Sequence, residues 1–288
     1  MIIQAVQQIR RMRGGSQAHL MLCSDKDAYI TKFQNNPQHR RILAKEMLAN
    51  KIADMVGLPV PACAIVEVSK DVIDRCTDLD LDYGRYRQPC QAGASFGSRL
   101  VGGLMPGYSL DYLPEEKLTE VVNLEEFAGV LAFDKWTCNA DGRQAVFHSR
   151  NGKGHFRATF IDHGFCFGGE SWGFVDAPLR GVYARNVVYE NISGWDSFEP
   201  WLSRMETFDA DKIFEIVTSI PAEWYAYDVA SLEQVCEKLI KRRHGIRSLI
   251  DNFRTSSRNP FPNWRRTVLR SPGRSNGQLA PVLALGNV

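Results

Sequence analysis

Two carboxylates in the middle of the chain carry the strongest chemical signal. The stretch Phe133-Asp134-Lys135-Trp136-Thr137-Cys138-Asn139-Ala140-Asp141-Gly142-Arg143-Gln144 puts Asp141 in a polar loop after a helix. Twenty-one residues later Asp162 ends the apolar run Thr159-Phe160-Ile161, just ahead of His163-Gly164. Between them, strand-like residues 145–149 and 157–161 bracket Arg150-Asn151-Gly152-Lys153-Gly154-His155, which is hairpin chemistry. Folding that hairpin back brings the two acids near one point, where one can accept a proton and the other bind a divalent metal. Two capping aspartates in an Asx-rich turn are the structural alternative.

Three upstream features could complete such a site. Arg13-Gly14-Gly15-Ser16-Gln17-Ala18 sets two glycines before a strand, where a backbone without Cβ can turn its N–H groups toward an anion; a plain turn is the alternative. The pattern is neither a P-loop nor a dinucleotide fingerprint, because neither Gly-Lys-Ser/Thr nor a third glycine follows at the required place. In Ala28-Tyr29-Ile30-Thr31-Lys32-Phe33, strand alternation groups Lys32 with Ala28 and Ile30, so its ammonium either snorkels from a strand edge or reaches into a cleft. Glu46 lies on a helix in register with Ile42, Met47, Ala49, Ala53 and Val56. If buried it needs a cationic partner, and Lys32 is the nearest upstream; otherwise it is a solvated flank.

Other motifs carry less. Gly93-Ala94-Ser95-Phe96-Gly97 has the G-x-S-x-G spacing of a nucleophile elbow, but residues 83–90 before it do not read as a buried strand and no long helix follows. His148, His155 and His163 lack a common zinc-ligand spacing. Phe261 and Trp264 near Arg265-Arg266 could meet RNA or DNA by phosphate attraction and stacking, against a solvated tail as the simpler reading. Trp195, Phe198, Trp201, Met205 and Phe208, spaced by three and four, read as the core of a helical region. Tyr108, Tyr112 and Leu104 around Pro106-Gly107 mark either a hinge or a turn.

The elements that must position these residues follow from periodicity. Strands are expected at 18–23 and 28–33, joined by the four-residue turn Ser24-Asp25-Lys26-Asp27, and at 62–68. Helices are expected at 39–56, closed by Gly57 and Leu58-Pro59, and at 124–136 behind a cap at Asn123. Residues 232–253 read as a last helix or helix pair interrupted at Gly245. Strands first and helices after favour an α+β fold with two lobes and a cleft between them over a doubly wound sheet. Residues 254–288 hold Asn-Pro-Phe-Pro, Ser-Pro-Gly and Ser-Asn-Gly, with no apolar periodicity before 279–285, and are expected to lie outside the core. The net charge of +2 is unevenly spread, with six arginines and no acid following Asp251.

In that order the pieces resemble the protein-kinase-like fold, and specifically the HipA-like kinases and their relatives among lipid kinases. The resemblance covers about residues 10–250. It rests on the glycine turn, the strand lysine, the helix glutamate followed by Gly57-Leu58-Pro59-Val60-Pro61, Asn139-x-Asp141, and Ile161-Asp162-His163-Gly164. It implies a small sheet-containing N-lobe at 1–100, a mainly helical C-lobe at 101–253 and a basic tail at 254–288, with ATP and Mg2+ between the lobes. Gly14, Gly15 and Ser16 would then cover the ATP phosphates, Lys32 would pair with the α- and β-phosphates, and Glu46 would hold Lys32. Asp141 would orient or deprotonate an acceptor hydroxyl of a protein or small alcohol, and Asp162 would bind Mg2+. The family expects Asn five residues after the catalytic Asp; here Val146 stands there, and Gln144 is the candidate replacement ligand. A nucleotide-binding pseudokinase and a non-enzymatic interaction module using the arginine tail are the remaining readings.

At 288 residues with 44% hydrophobic and 24% charged, the chain can bury one sizeable core or two smaller ones. Collagen-like, coiled-coil and wholly disordered classes are excluded by composition. No apolar run is long enough to span a membrane and the first fifteen residues do not read as a signal peptide, so a cytoplasmic protein without a membrane partner is expected. Seven cysteines without a CxxC pair read as reduced thiols rather than a disulfide framework or zinc site.

Overall fold

The computed structural model describes residues 2–39, 41–105, 108–149 and 155–265. The first part of the chain runs β1 (Ile2–Arg11), β2 (His19–Cys23), β3 (Ala28–Lys32), α1 (Ile42–Met55), β4 (Cys63–Val68), α2 (Lys70–Arg75), β5 (Asp80–Asp82), β6 (Arg87–Pro89) and β7 (Gly93–Arg99). Five of these strands close into a barrel in the order β1-β2-β3-β7-β4, with β4 parallel to β1, and β5 and β6 pair as a separate small hairpin. Next come β8 (Ser109–Leu110), α3 (Glu115–Leu118), α4 (Glu126–Trp136), β9 (Gln144–His148) and β10 (Arg157–Ile161). The chain then becomes helical through α5 (Trp201–Glu206), α6 (Ala210–Thr218), α7 (Val229–Arg242) and α8 (Ile246–Arg254). The expected α+β order is present.

The residues that turn the chain explain the elements they join. Between β2 and β3 the Asp25 carboxylate accepts from the Asp27 backbone N–H at 3.1 Å, and Lys26 takes a left-handed φ of 69°. The ladder then puts Tyr29 and Phe33 inside the barrel with Met21 and Val66, and turns Ile30 and Lys32 outward. Helix α1 ends in a Schellman arrangement: Gly57 N–H donates to Asp54 O at 2.9 Å and Leu58 N–H to Ala53 O at 3.0 Å, with Gly57 at φ 84° where a Cβ would be strained. Because α1 lies against β4, β7 and α6, it is buried almost throughout, so that even Glu46 and Lys45 lack solvent. The larger apolar core spans α1, α4 and the C-terminal helices.

Several local expectations change. β1 was not read from the sequence, nor was Gly93–Arg99 as a strand. Ser95 of the G-x-S-x-G stretch is fully buried in β7, which rules out an exposed nucleophile elbow. Asn123 does not cap α4: its Oδ1 accepts from Ala158 N–H at 2.8 Å and its Nδ2 donates to Ala158 O at 2.9 Å, tying the helix entry to β10. The pair α7 and α8 is interrupted at Gly245 as expected. Residues 254–265 are not an appendage. Phe261 is buried, its ring 5.7 Å from Phe253 and 6.0 Å from Phe198, and Trp264 stacks on Phe261 while meeting Trp195 edge-on at 5.2 Å. The Pro106-Gly107 dipeptide, the hairpin turn at 150–154 and residues 266–288, including 279–285, lie outside the described residues. Among the described residues no helix is long and apolar enough to cross a membrane, and all seven cysteines are free.

Candidate active site

A cavity of about 1120 Å³ opens between the outer face of the barrel and the β9–β10 pair, lined by Ser16, Lys32, Glu46, Gln144, Val146 and Asp162 among others. Lys32 leaves the end of β3 and donates to both Glu46 Oε1 and, at 3.0 Å, Asp162 Oδ1. The loop after β10 docks on α1 because His163 N–H donates to Glu46 Oε2 at 3.0 Å. Gly164 permits that approach: a Cβ there would sit 2.8 Å from Ile42 Cγ2 and 3.1 Å from Glu46 Oε1. Asp162 itself holds a left-handed φ of 60°, a local cost of the kind that surrounding contacts must over-determine.

One cation between two carboxylates divides its influence unequally. Burial alone would push Asp162 up, but Lys32, by charge and hydrogen bond, holds its carboxyl well below the usual range. Glu46 is raised, first by burial and also by the neighbouring Asp162 charge, while Lys32 remains firmly ammonium despite its own burial because both acids face it. Burial and then the Arg143 charge hold the His163 imidazole well below its ordinary value.

The loop bearing Asp141 is fixed by a second, fully buried pair. Arg143 Nε donates to Asp134 Oδ2 at 2.8 Å, Asn139 Nδ2 donates to Asp134 Oδ1 at 3.0 Å, and Arg143 Nη1 reaches Ile161 O at 2.7 Å. Asp134, on α4, is therefore engaged as an anchor and its lone pairs are not open to a substrate proton. Asn139 Oδ1 accepts from Asp141 N–H at 3.1 Å, and Asp141 O accepts from Gly181 N–H at 3.0 Å, leaving the Asp141 side chain exposed.

Of the residues expected from sequence, Lys32, Glu46, Asp162 and Gln144 meet directly, with Gln144 Nε2 donating to Asp162 Oδ2 at 3.1 Å. Ser16 lines the same cavity. Gly14 and Gly15 form the turn above it without lining it, and Asp141 stands outside the lining as well. Arg143 was missed, although one signal was available: Asp134 directly follows the apolar run Val130-Leu131-Ala132-Phe133 on a helix and, if buried there, needs a cation. Among the described residues no group of three His, Cys, Asp or Glu side chains forms a metal site.

The family described as HipA-like kinase matches residues 3–248. Among solved structures, the fold is similar to that of hydra Fam20 with sugar, at 10% identity over 89% of this chain and 88% of that one, with a TM-score of 0.52. The Helicobacter pylori proinflammatory kinase CtkA aligns at 12% identity over 83% of this chain and 93% of its own, with a TM-score of 0.48. HipA from Shewanella oneidensis MR-1, solved with HipB and operator DNA, aligns at 13% identity over 86% and 68%, with a TM-score of 0.44. No curated protein matches. The family match runs through the barrel, the β9–β10 pair and most of the helical region, so this two-lobed, kinase-like α+β chain belongs to the HipA-like kinases.

Proposed function

We propose that this atypical kinase transfers the terminal phosphoryl group of ATP to a hydroxyl of a protein or a small alcohol. The observation that carries the reading is the Lys32 ammonium held between Glu46 and Asp162 on the wall of a cavity large enough for a nucleotide. In this reading Lys32 meets the α- and β-phosphates, Glu46 keeps it extended, and the turn Gly14-Gly15-Ser16 covers the phosphates. The donor set suits Mg2+: the Asp162 carboxylate is ionised, and the Gln144 side chain that donates to it through Nε2 carries a hard carboxamide oxygen on the same group. When bound, the ion would offset phosphate charge. Asp141, exposed on a loop anchored through Asn139 and Arg143, accepts the acceptor's proton. The seven free cysteines fit a reducing compartment, and the reading includes a cytoplasmic setting.

Val146 in the cavity wall supports a second reading, a pseudokinase that binds nucleotide without transfer. One comparison separates the two. For the kinase, Asp141→Ala lowers phosphoryl transfer by about 10²–10⁴-fold while ATP affinity is retained. For the pseudokinase, wild type and Asp141→Ala bind equally and are equally inactive toward themselves and toward cell extract. An active wild type with undiminished Asp141→Ala activity removes Asp141 from the reaction.

A further inference from the structure

The side chain of Gln17 makes a reciprocal pair of hydrogen bonds with one backbone unit of the small hairpin: Gln17 Nε2 donates to Asp82 O at 2.6 Å, and Asp82 N–H donates to Gln17 Oε1 at 2.7 Å. Gln17 also closes the glycine turn, donating its backbone N–H to Gly14 O at 3.1 Å from a left-handed φ of 45°. The hairpin that receives it is itself fixed. Leu81 is buried in the barrel core, Arg11 Nη2 donates to Asp80 O at 2.6 Å, and Asn35 Nδ2 donates to Pro89 O at 2.9 Å. From the other side of the turn, Asn36 Nδ2 donates to Ser16 O at 3.0 Å.

A Gly-Gly turn left to itself is costly to order, because glycine loses more conformational freedom than any other residue. Nothing lies within 4 Å of where a Gly14 Cβ would sit, so packing does not hold that point of the turn. We propose that Gln17 is a positioning residue: through Asp82 it clamps the turn Gly14-Gly15-Ser16 to hairpin β5–β6, so that nucleotide phosphates meet a preset backbone. This rests on the reading in which that turn covers the phosphates. The ordering cost is met in folding rather than at binding, which is how preorganisation raises affinity.

The test uses the full chain, with Gln17→Ala and Gln17→Gly, amide hydrogen exchange over residues 13–18, and calorimetric binding of a non-hydrolysable ATP analogue with Mg2+. Both variants should exchange about tenfold faster in that segment alone and bind the analogue about tenfold more weakly, the equivalent of a net 1.4 kcal/mol from the lost amide bonds. The melting temperature should barely move. Gln17→Gly matters because it relaxes the left-handed backbone while still removing the amide. If only Gln17→Ala shows the effects, backbone strain is the cause and the clamp is overturned. Unchanged exchange in both variants also overturns it, as does faster exchange with undiminished binding. A wild type that does not bind the analogue at all overturns the phosphate reading together with the positioning role, and the exchange data then report the clamp's physical existence separately.

Discussion

Gln144 stands directly opposite Ile161 in the β9–β10 ladder, and its amide reaches one residue past that partner to donate to Asp162 Oδ2 at 3.1 Å. Two residues on, Val146 faces Thr159 on the same side of the strand and also lines the cavity. Register thus gives the strand two positions from which an oxygen could approach Asp162, one polar and one apolar.

Gln144→Ala is expected to weaken the Mg2+ dependence of nucleotide binding by at least about tenfold, the lower end of the loss seen when a polar partner of a metal carboxylate is removed. Adding Val146→Asn to that variant should recover part of it. Calorimetry across a Mg2+ series checks both, and identical metal dependence in wild type and Gln144→Ala would take Gln144 out of the site.

Asp134→Asn should destabilise the fold by about 3–5 kcal/mol, because it leaves the fully buried Arg143 guanidinium without its counter-charge. The double variant Asp134→Leu with Arg143→Met should regain much of that stability yet lose the loop geometry around Asp141. Urea unfolding reads the first effect and turnover the second. A single variant as stable as wild type would refute the anchoring role.

Lys45 lies on the buried side of α1 with no hydrogen-bond partner for Nζ, and burial pushes its ammonium down to about 7, with Arg41 also lowering it and Cys166 and Glu170 opposing. The unfolded chain protonates near the ordinary lysine value, so between pH 7 and about 10 the unfolded state holds one more proton than the folded state. Its contribution to stability therefore rises with pH by about 1.4 kcal/mol per unit across that window and is flat below it. Lys45→Met should be more stable than wild type at pH 7, with the advantage shrinking toward pH 10. A difference independent of pH in paired unfolding curves would show that Lys45 is not the titrating group.

Phe261→Ala should cost about 3–5 kcal/mol, since it removes an aromatic side chain packed among Phe253, Phe198 and Tyr189. Thermal and denaturant unfolding measure it. A loss below about 0.5 kcal/mol, the level of a surface substitution, would contradict the packing.

The parts of this fold that were legible in sequence are those whose pattern is local. Alternation in Ala28–Lys32 grouped Lys32 with Ala28 and Ile30 on one face, and the apolar run into Asp162 marked the end of β10. β1 was not legible because its pairing with β2 shifts register between Ala5 and Gln7 and again between Gln8 and Arg10, and each shift resets the alternation that would have identified it. β7 was hidden by its small residues; it is a strand because β3 and β4 pair with it on both sides, and its own propensity is weak. The Phe261 site was invisible because Phe198 and Tyr189, which complete it, are distant in sequence.

Closure of the barrel bears on how copies of this protein meet one another. Ile2, Val6 and Ile9 are exposed on β1, and in an open sheet a long strand of this kind at the border would offer its free N–H and C=O groups as a template for intermolecular pairing. Here β1 pairs with β4 over Ile2–Gln4 and with β2 over Ala5–Arg11. The open sheet borders outside the barrel belong to short strands, β5 and β6 at three residues each, β8 at two and β10 at five, among the described residues. Pairing with β4 at its start and with β2 along the rest shortens the backbone edge that β1 can offer a second copy, so self-association through its exposed apolar side chains rests chiefly on side-chain contact.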